Sequence, residues 1–312
     1  MVCYNYYGDN MKKVMIFLVI ILVGTLSFWG YKYIGYRNSE TYKLKEIGYS
    51  ETEINTLNKF LKSREYVLNN EYDKDILLFI DKKHFKEDKL ETYLTYYKEK
   101  KETDINKIIT IINIGLDKEF YKESKSANTS KENIMLVNKY NGLTKDFVPN
   151  DLVDINSTYA YAGHKIKKEV YEALIEMIEA AKKDNIKLIV TSGYRSYESQ
   201  EKLYKDYVIK NGQEETDKYA AKPGFSEHQT GLALDIMEYG VKKEDFDNSK
   251  GALWLADNAY KYGFILRYKK DTVYITGYEY ESWHYRYVGK DLAKKVYNSK
   301  LTYEEYYEYY LK

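Results

Sequence analysis

The sequence predicts an α+β fold carried behind a membrane-inserting helix and a helical region. Three observations point there. Residues 14–31 hold no charge, residues 38 to about 125 repeat apolar side chains at helical spacing, and later residues mix helix-like and strand-like patterns. That mixture lacks the regular βαβ alternation of a parallel, doubly wound sheet, so the α+β class is expected. At 312 residues the chain can bury one large or two small cores.

The uncharged segment "VMIFLVIILVGTLSFWGY" follows Lys12 and Lys13. At about 1.5 Å per residue it makes a helix of roughly 27 Å, just enough for a hydrocarbon layer of about 30 Å. No small-residue cleavage site follows it, and Trp29, Tyr31 and Tyr33 supply an interfacial aromatic belt, so a retained signal anchor is expected. The preceding lysines put the N-terminus in the cytoplasm and the rest of the chain on the outer, cell-wall side. Residues 1–37 are therefore read as a short cytoplasmic N-terminus with a single transmembrane helix.

Residues 38–125 read as a helical extracellular spacer. "SETE", Ser50 to Glu53, is a capping box leading into Ile54, Leu57, Phe60 and Leu61. A second apolar stripe joins Ile105, Ile108, Ile109, Ile112 and Leu116. No cluster in this region is suited to chemistry. The polar run "KESKSANTSKEN" at 122–133 has linker composition and marks the boundary of a third region, 126–312.

In that region "IMLVN" (134–138), "IKLIV" (186–190), "LALDI" (232–236), "FILRY" (264–268), "TVYIT" (272–276) and "WHYRYV" (283–288) are strand candidates. Ile166, Val170, Leu174, Met177 and Ala181 line one helix face. A helix is expected over about 197–210, ending at Asn211-Gly212, and another ending at Gly263.

Composition excludes several functions. A net charge of +1, from 49 basic and 48 acidic residues, provides no field for nucleic acid. The single cysteine, Cys3, precedes the apolar segment. The remainder therefore has no disulfide, no thiolate zinc site and no cysteine nucleophile. A metal site there must use His, Asp and Glu, and the chain has only four histidines.

Two of them occur in telling surroundings. His228 lies between Gly224 and Gly231 and seven residues before Asp235, a carboxylate inside the apolar "LALDI". A carboxylate buried in a strand is costly unless paired or metal-bound. A salt bridge to Arg195 or Arg267 is the plainer account of Asp235, and a structural role the plainer account of His228 alone. His284 is the best third ligand, because strand alternation sends it and Arg286 to one face, with Trp283, Tyr285 and Tyr287 on the other. His84 and His164 read as ordinary surface histidines. Two imidazoles, a carboxylate and one open position suit catalytic zinc. Glu281, three residues before His284, is the natural general base, provided that "ESWH" bends at Tyr280 to Ser282. Arg195 sits on a loop leaving a buried strand, where its fork suits a carboxylate or oxyanion, or equally a structural ion pair.

With "SGYRSYESQ", "SEHQTGLALDI" and "ESWHYRYVG" in this order, the sequence resembles the zinc D,D- and L,D-carboxypeptidases of the vancomycin-resistance and LdcB type. These lie within the lysostaphin/D-Ala-D-Ala peptidase/hedgehog fold group. The resemblance covers about residues 134–297 and implies a small, mostly antiparallel sheet with flanking helices. It implies that His228, Asp235 and His284 bind Zn2+, that Glu281 is the base, and that Arg195 steadies a substrate carboxylate or oxyanion. It gives Gln200 and Ser226 places in the substrate pocket. The implied reaction removes the C-terminal D-alanine from peptidoglycan stem peptides. An inactive wall-binding domain of the same fold, an endopeptidase and a D-Ala-D-Ala dipeptidase are the alternatives. The complete ligand set with Glu281 and Arg195 favours an enzyme, and a monomer is expected.

Overall fold

The computed structural model describes residues 3–161 and 163–312. It contains two compact units, residues 1–109 and 110–312.

The first begins with helix α1 (Cys3–Arg37), of which Met11–Arg37 is apolar and long enough to cross a bilayer. Short helices follow: α2 (Glu40–Ile47), α3 (Glu51–Leu57), α4 (Leu61–Leu68), α5 (Leu77–Ile80), α6 (Leu90–Lys100) and α7 (Ile105–Ile114), whose residues from Thr110 on belong to the second unit. The expected capping box is present, with Ser50 accepting from the Glu53 amide and the Glu53 carboxylate accepting from the Ser50 amide. Ile54 and Leu57 are buried, whereas Leu61 starts a new helix and is exposed. Asn58 ends α3, so Leu61 does not continue its stripe.

The second unit carries strands β1 (Lys125–Ser126), β2 (Asn141–Gly142), β3 (Leu152–Asp154), β4 (Lys165–Lys167), β5 (Leu188–Ser192), β6 (Ala233–Glu238), β7 (Phe264–Leu266) and β8 (His284–Tyr287). Its helices are α8 (Lys168–Lys183), α9 (Tyr197–Asn211), α10 (Gln213–Thr216), α11 (Lys250–Asn258), α12 (Val273–Thr276), α13 (Lys290–Ser299) and α14 (Tyr303–Tyr310). The central sheet has the order β5-β6-β8-β7 and is antiparallel throughout. The α+β class and the mostly antiparallel sheet are as expected.

Helix α8 buries Val170, Leu174, Met177, Ile178 and Ala181 against Leu188, Val190, Leu234 and Ile236 of the sheet. Ile166 lies in β4, before the helix begins. Each such side chain contributes about 1.5–3 kcal/mol by leaving water. Strand β8 divides as alternation requires. Tyr285 and Tyr287 enter this core, while His284 and Arg286 point to the opposite side.

Two strand expectations fail. Ile134 closes a 3-10 turn and is only partly buried, and residues 135–138 are buried but form no named strand; the carbonyls of Asn133 and Met135 accept from the Arg286 guanidinium instead. Residues 273–276 form one helical turn, α12, closed by Gly277 at φ +73°. Their β-branched character is overridden because the burial runs in neighbouring pairs, Val273 and Tyr274 exposed, Ile275 and Thr276 buried. The polar run at 122–133 is bonded into the second unit: the Lys125 amide donates to Tyr140 O and the Ala127 amide to Gly142 O.

Candidate active site

The site is built where β6 and β8 pair. Asp235 and His284 are directly opposed in the antiparallel register, which brings cross-strand Cβ atoms to about 4.5–5.5 Å. His284 Nδ1 lies 3.0 Å from Asp235 Oδ1. His228 enters from a 3-10 turn, Glu227–Thr230, ended by Gly231 at φ +66°. Its Nε2 is 3.5 Å from the same Asp235 oxygen. The three ligand atoms lie within 4.8 Å of one another.

Tautomers follow from the outer contacts. His228 Nδ1 donates to the Gly193 carbonyl at 2.7 Å, which leaves the Nε2 lone pair for the site. Gly193 is there because a Cβ would stand 2.5 Å from Lys165 O. His284 turns Nε2 toward Glu227 and leaves Nδ1 for Asp235. Either a proton on His284 Nδ1 or a metal ion relieves the repulsion between these lone pairs and the carboxylate, and two imidazole nitrogens with one carboxylate oxygen are a donor set that fits a divalent metal. The electrostatics agree. Burial opposes charge on His284, yet its bonds to Asp235 and Glu227 push its pKa up to about 9.

Glu281 reaches this cluster through a bend at Ser282 and Trp283, one residue beyond the expected position. The His284 amide donates to Glu281 O, and Glu281 Oε2 stands 3.9 Å from His284 Nδ1. Burial pushes the Glu281 carboxyl up to about 7.

A bulge in the β5–β6 pairing brings Ser192 opposite Asp235. Ser192 Oγ then accepts from Arg195 Nη2 at 2.9 Å, and Gln200 Oε1 accepts from Nη1 at 2.7 Å. Gln200 is itself held by donating to Ala221 O. Arg195 therefore owes its place to neutral partners. Arg267, the other candidate partner of Asp235, bonds Glu227 and Glu304 instead. Neither arginine accounts for Asp235.

Arg195, Gln200, Ser226, His228, Asp235, Glu281 and His284 all line one cavity of about 240 Å³. The structure thus brings all seven of the predicted site residues to one cavity. Lys243 joins that lining, 4.0 Å over the Trp283 ring. His164 is half-buried and close enough to Arg195 and Asp235 to feel both charges. Sequence reasoning passed over Glu227, which is wholly buried beside His228. A signal for it existed: Arg267 and Arg286 stand in otherwise apolar strand patterns, and buried guanidinium groups require carboxylates.

Comparison with known proteins gives a consistent picture. Residues 163–290 match the family pattern of VanY, D-alanyl-D-alanine carboxypeptidase. The Bacillus subtilis (strain 168) protein YodJ is 41% identical over 207 residues, covering 62% of this chain and 76% of its own. A D-alanyl-D-alanine carboxypeptidase of Enterococcus faecalis is 34% identical over 200 residues, covering 59% of this chain and 71% of its own. Among solved structures, the LdcB LD-carboxypeptidase superposes with a TM-score of 0.53 at 44% identity, over 57% of this chain and 87% of that one.

Proposed function

The chain belongs to the VanY family of D-alanyl-D-alanine carboxypeptidases, and from that premise we propose how its residues act. It is a zinc-dependent metallopeptidase that removes the C-terminal D-amino acid from peptidoglycan stem peptides. His228 Nε2, His284 Nδ1 and Asp235 Oδ1 are the ligands. Their convergence around one point is the observation that carries the reading.

Zinc, when bound, supplies a Lewis acid that acidifies water and polarises the scissile carbonyl. Glu281 takes the proton of the attacking water and delivers it to the amine of the departing D-alanine as the C–N bond breaks. Its burial, with a pKa pushed to about 7, suits a group that must both accept and release a proton near neutrality. Arg195, steadied by Ser192 and Gln200, keeps its remaining N–H donors for the substrate's terminal carboxylate or the developing oxyanion. Gln200 fixes Arg195, and Ser226 forms part of the pocket wall.

The apolar, fully exposed Met11–Arg37 supports membrane attachment, with the second unit on the cell-wall side. Residues 1–37 then form the anchor, the region from 38 is a spacer, and the site belongs to the C-terminal unit. The bonds of Tyr121 to Lys139 and of Lys125 to Tyr140 favour counting residues 110–125 with that unit.

The test is mass spectrometry of muropeptides after incubation with the zinc-loaded protein. Loss of one alanine from the pentapeptide marks D,D-activity, and loss of one from the tetrapeptide marks L,D-activity. Release of D-Ala-D-Ala, or cleavage within the stem, would replace this reading with a dipeptidase or an endopeptidase. Intact peptides would leave a binding domain.

A further inference from the structure

Behind His284 lies a group of four buried charges. Glu227 Oε1 accepts from Arg267 Nε at 2.9 Å and from Arg286 Nη1 at 2.8 Å. Arg267 continues to Glu304 of α14 through two parallel bonds of 2.8 and 2.6 Å. Glu304 also accepts from Asn138 Nδ2, and Arg286 donates to the carbonyls of Asn133 and Met135. All four charged side chains are at most 1% exposed.

The plain account is a structural ion cluster that fastens α14 and residues 133–138 to the sheet. Burying ion pairs is a poor route to stability, because desolvation offsets most of the attraction. The plain account also leaves one feature unexplained. Glu227 gives one oxygen to both arginines and turns the other, Oε2, to His284 Nε2 at 3.4 Å. An ionised carboxylate there can only accept a hydrogen bond, so Nε2–H donates to it and keeps its proton, which selects the tautomer whose Nδ1 lone pair faces Asp235.

We propose that Glu227 is the positioning residue that keeps the His284 proton on Nε2, and that Arg267, Arg286 and Glu304 hold Glu227 in place for it. This rests on the reading of His284 as a zinc ligand. The arrangement makes the C-terminal helix part of the metal site's support. Glu304, Asn138 and residues 133–135 lie outside residues 163–290, the stretch that matches the family pattern. A glutamine at 227 must give its oxygen to the arginines and its NH2 to His284 Nε2. Nε2 must then accept, the proton moves to Nδ1, and the ligand is lost.

The experiment uses the full chain in detergent, labelled with ¹⁵N-histidine, which yields only four imidazoles to assign. In the zinc-loaded wild type, His284 should be protonated at Nε2 and His228 at Nδ1. Protonation of His284 at Nδ1 overturns the proposal without any variant. Chelator competition should then show zinc held about 10- to 100-fold more weakly by Glu227→Gln. The circular dichroism of its metal-free form should match wild type. Glu304→Gln should weaken zinc in the same direction by less. Wild-type affinity in Glu227→Gln overturns the proposal, and if that variant does not fold, wild-type affinity in Glu304→Gln does so. A wild type that binds no zinc sinks the metal reading itself, which is a separate result.

Discussion

At the scale of single residues, the roles proposed for His228, Asp235, His284 and Glu281 separate holding a metal from doing chemistry. Three protein ligands and one water fill a tetrahedral shell, so Glu281→Gln should keep close to one zinc per chain. The amide cannot take up a proton, so turnover of a D-alanine-terminated peptide should fall by about 10²–10⁴-fold. His228→Ala and His284→Ala should lose metal and activity together. Atomic absorption beside turnover reads both halves, and loss of zinc from Glu281→Gln would make Glu281 a ligand. Arg195 gives a second prediction. Its two nitrogens are positioned by Ser192 and Gln200, so Arg195→Lys keeps the charge but loses the fork. The kcat/KM should fall at least about tenfold, the scale of one charged hydrogen bond, and a C-terminally amidated peptide should already be a poor substrate for wild type. Equal turnover of amide and acid would leave Arg195 only an oxyanion or structural role.

At the scale of elements, the site depends on contacts that no ligand makes itself. The β5–β6 bulge, the turn before Gly231 and the bend at Ser282 each bring one functional side chain to the cavity. Gly193 illustrates the constraint, since its carbonyl orients His228 while a Cβ added there would stand 2.5 Å from Lys165 O. Gly193→Ala should therefore weaken zinc binding, read by chelator competition, and lower stability by about 1–3 kcal/mol as the loop shifts away from β4. Leu174→Ala on α8 makes the contrasting case. It opens a cavity in the core on the other side of the sheet and should cost about 2–5 kcal/mol in denaturant unfolding. Zinc content and turnover of the remaining folded protein should be unchanged, because that core touches none of the ligands.

At the scale of the whole molecule, the C-terminal unit begins at Thr110, earlier than the polar run at 122–133 suggests. Lys139 is buried, donates to the carbonyls of Asp217 and Gly277, and is covered by Phe120 and Tyr121. A chain starting at Thr110 should fold and cut peptides. One starting at Ile134 removes that cover from a buried ammonium and should be insoluble or much less stable, as thermal melts would show. Proteinase treatment of intact, wall-stripped cells should degrade the C-terminal unit. A protected C-terminal unit would refute both the topology and the wall substrate.

Much of this was legible in the sequence because local physics decides it. Eighteen uncharged residues, a capping box, and the alternation that separates His284 from Tyr285 depend only on near neighbours along the chain. The absence of thiols after Cys3 likewise narrowed any metal site to imidazole and carboxylate. Tertiary structure alone decided what lies across space. Residues 134–138 carry a strand's composition, yet their neighbouring carbonyls are taken by an arginine about 150 residues away, and 273–276 turn into a helix because of which side chains are buried. Glu227 beside His228 looks like one more surface charge until Arg267, Arg286 and Glu304 arrive from three other elements. A charge's role is set by the partners that bury it, and those partners are brought together only by the fold.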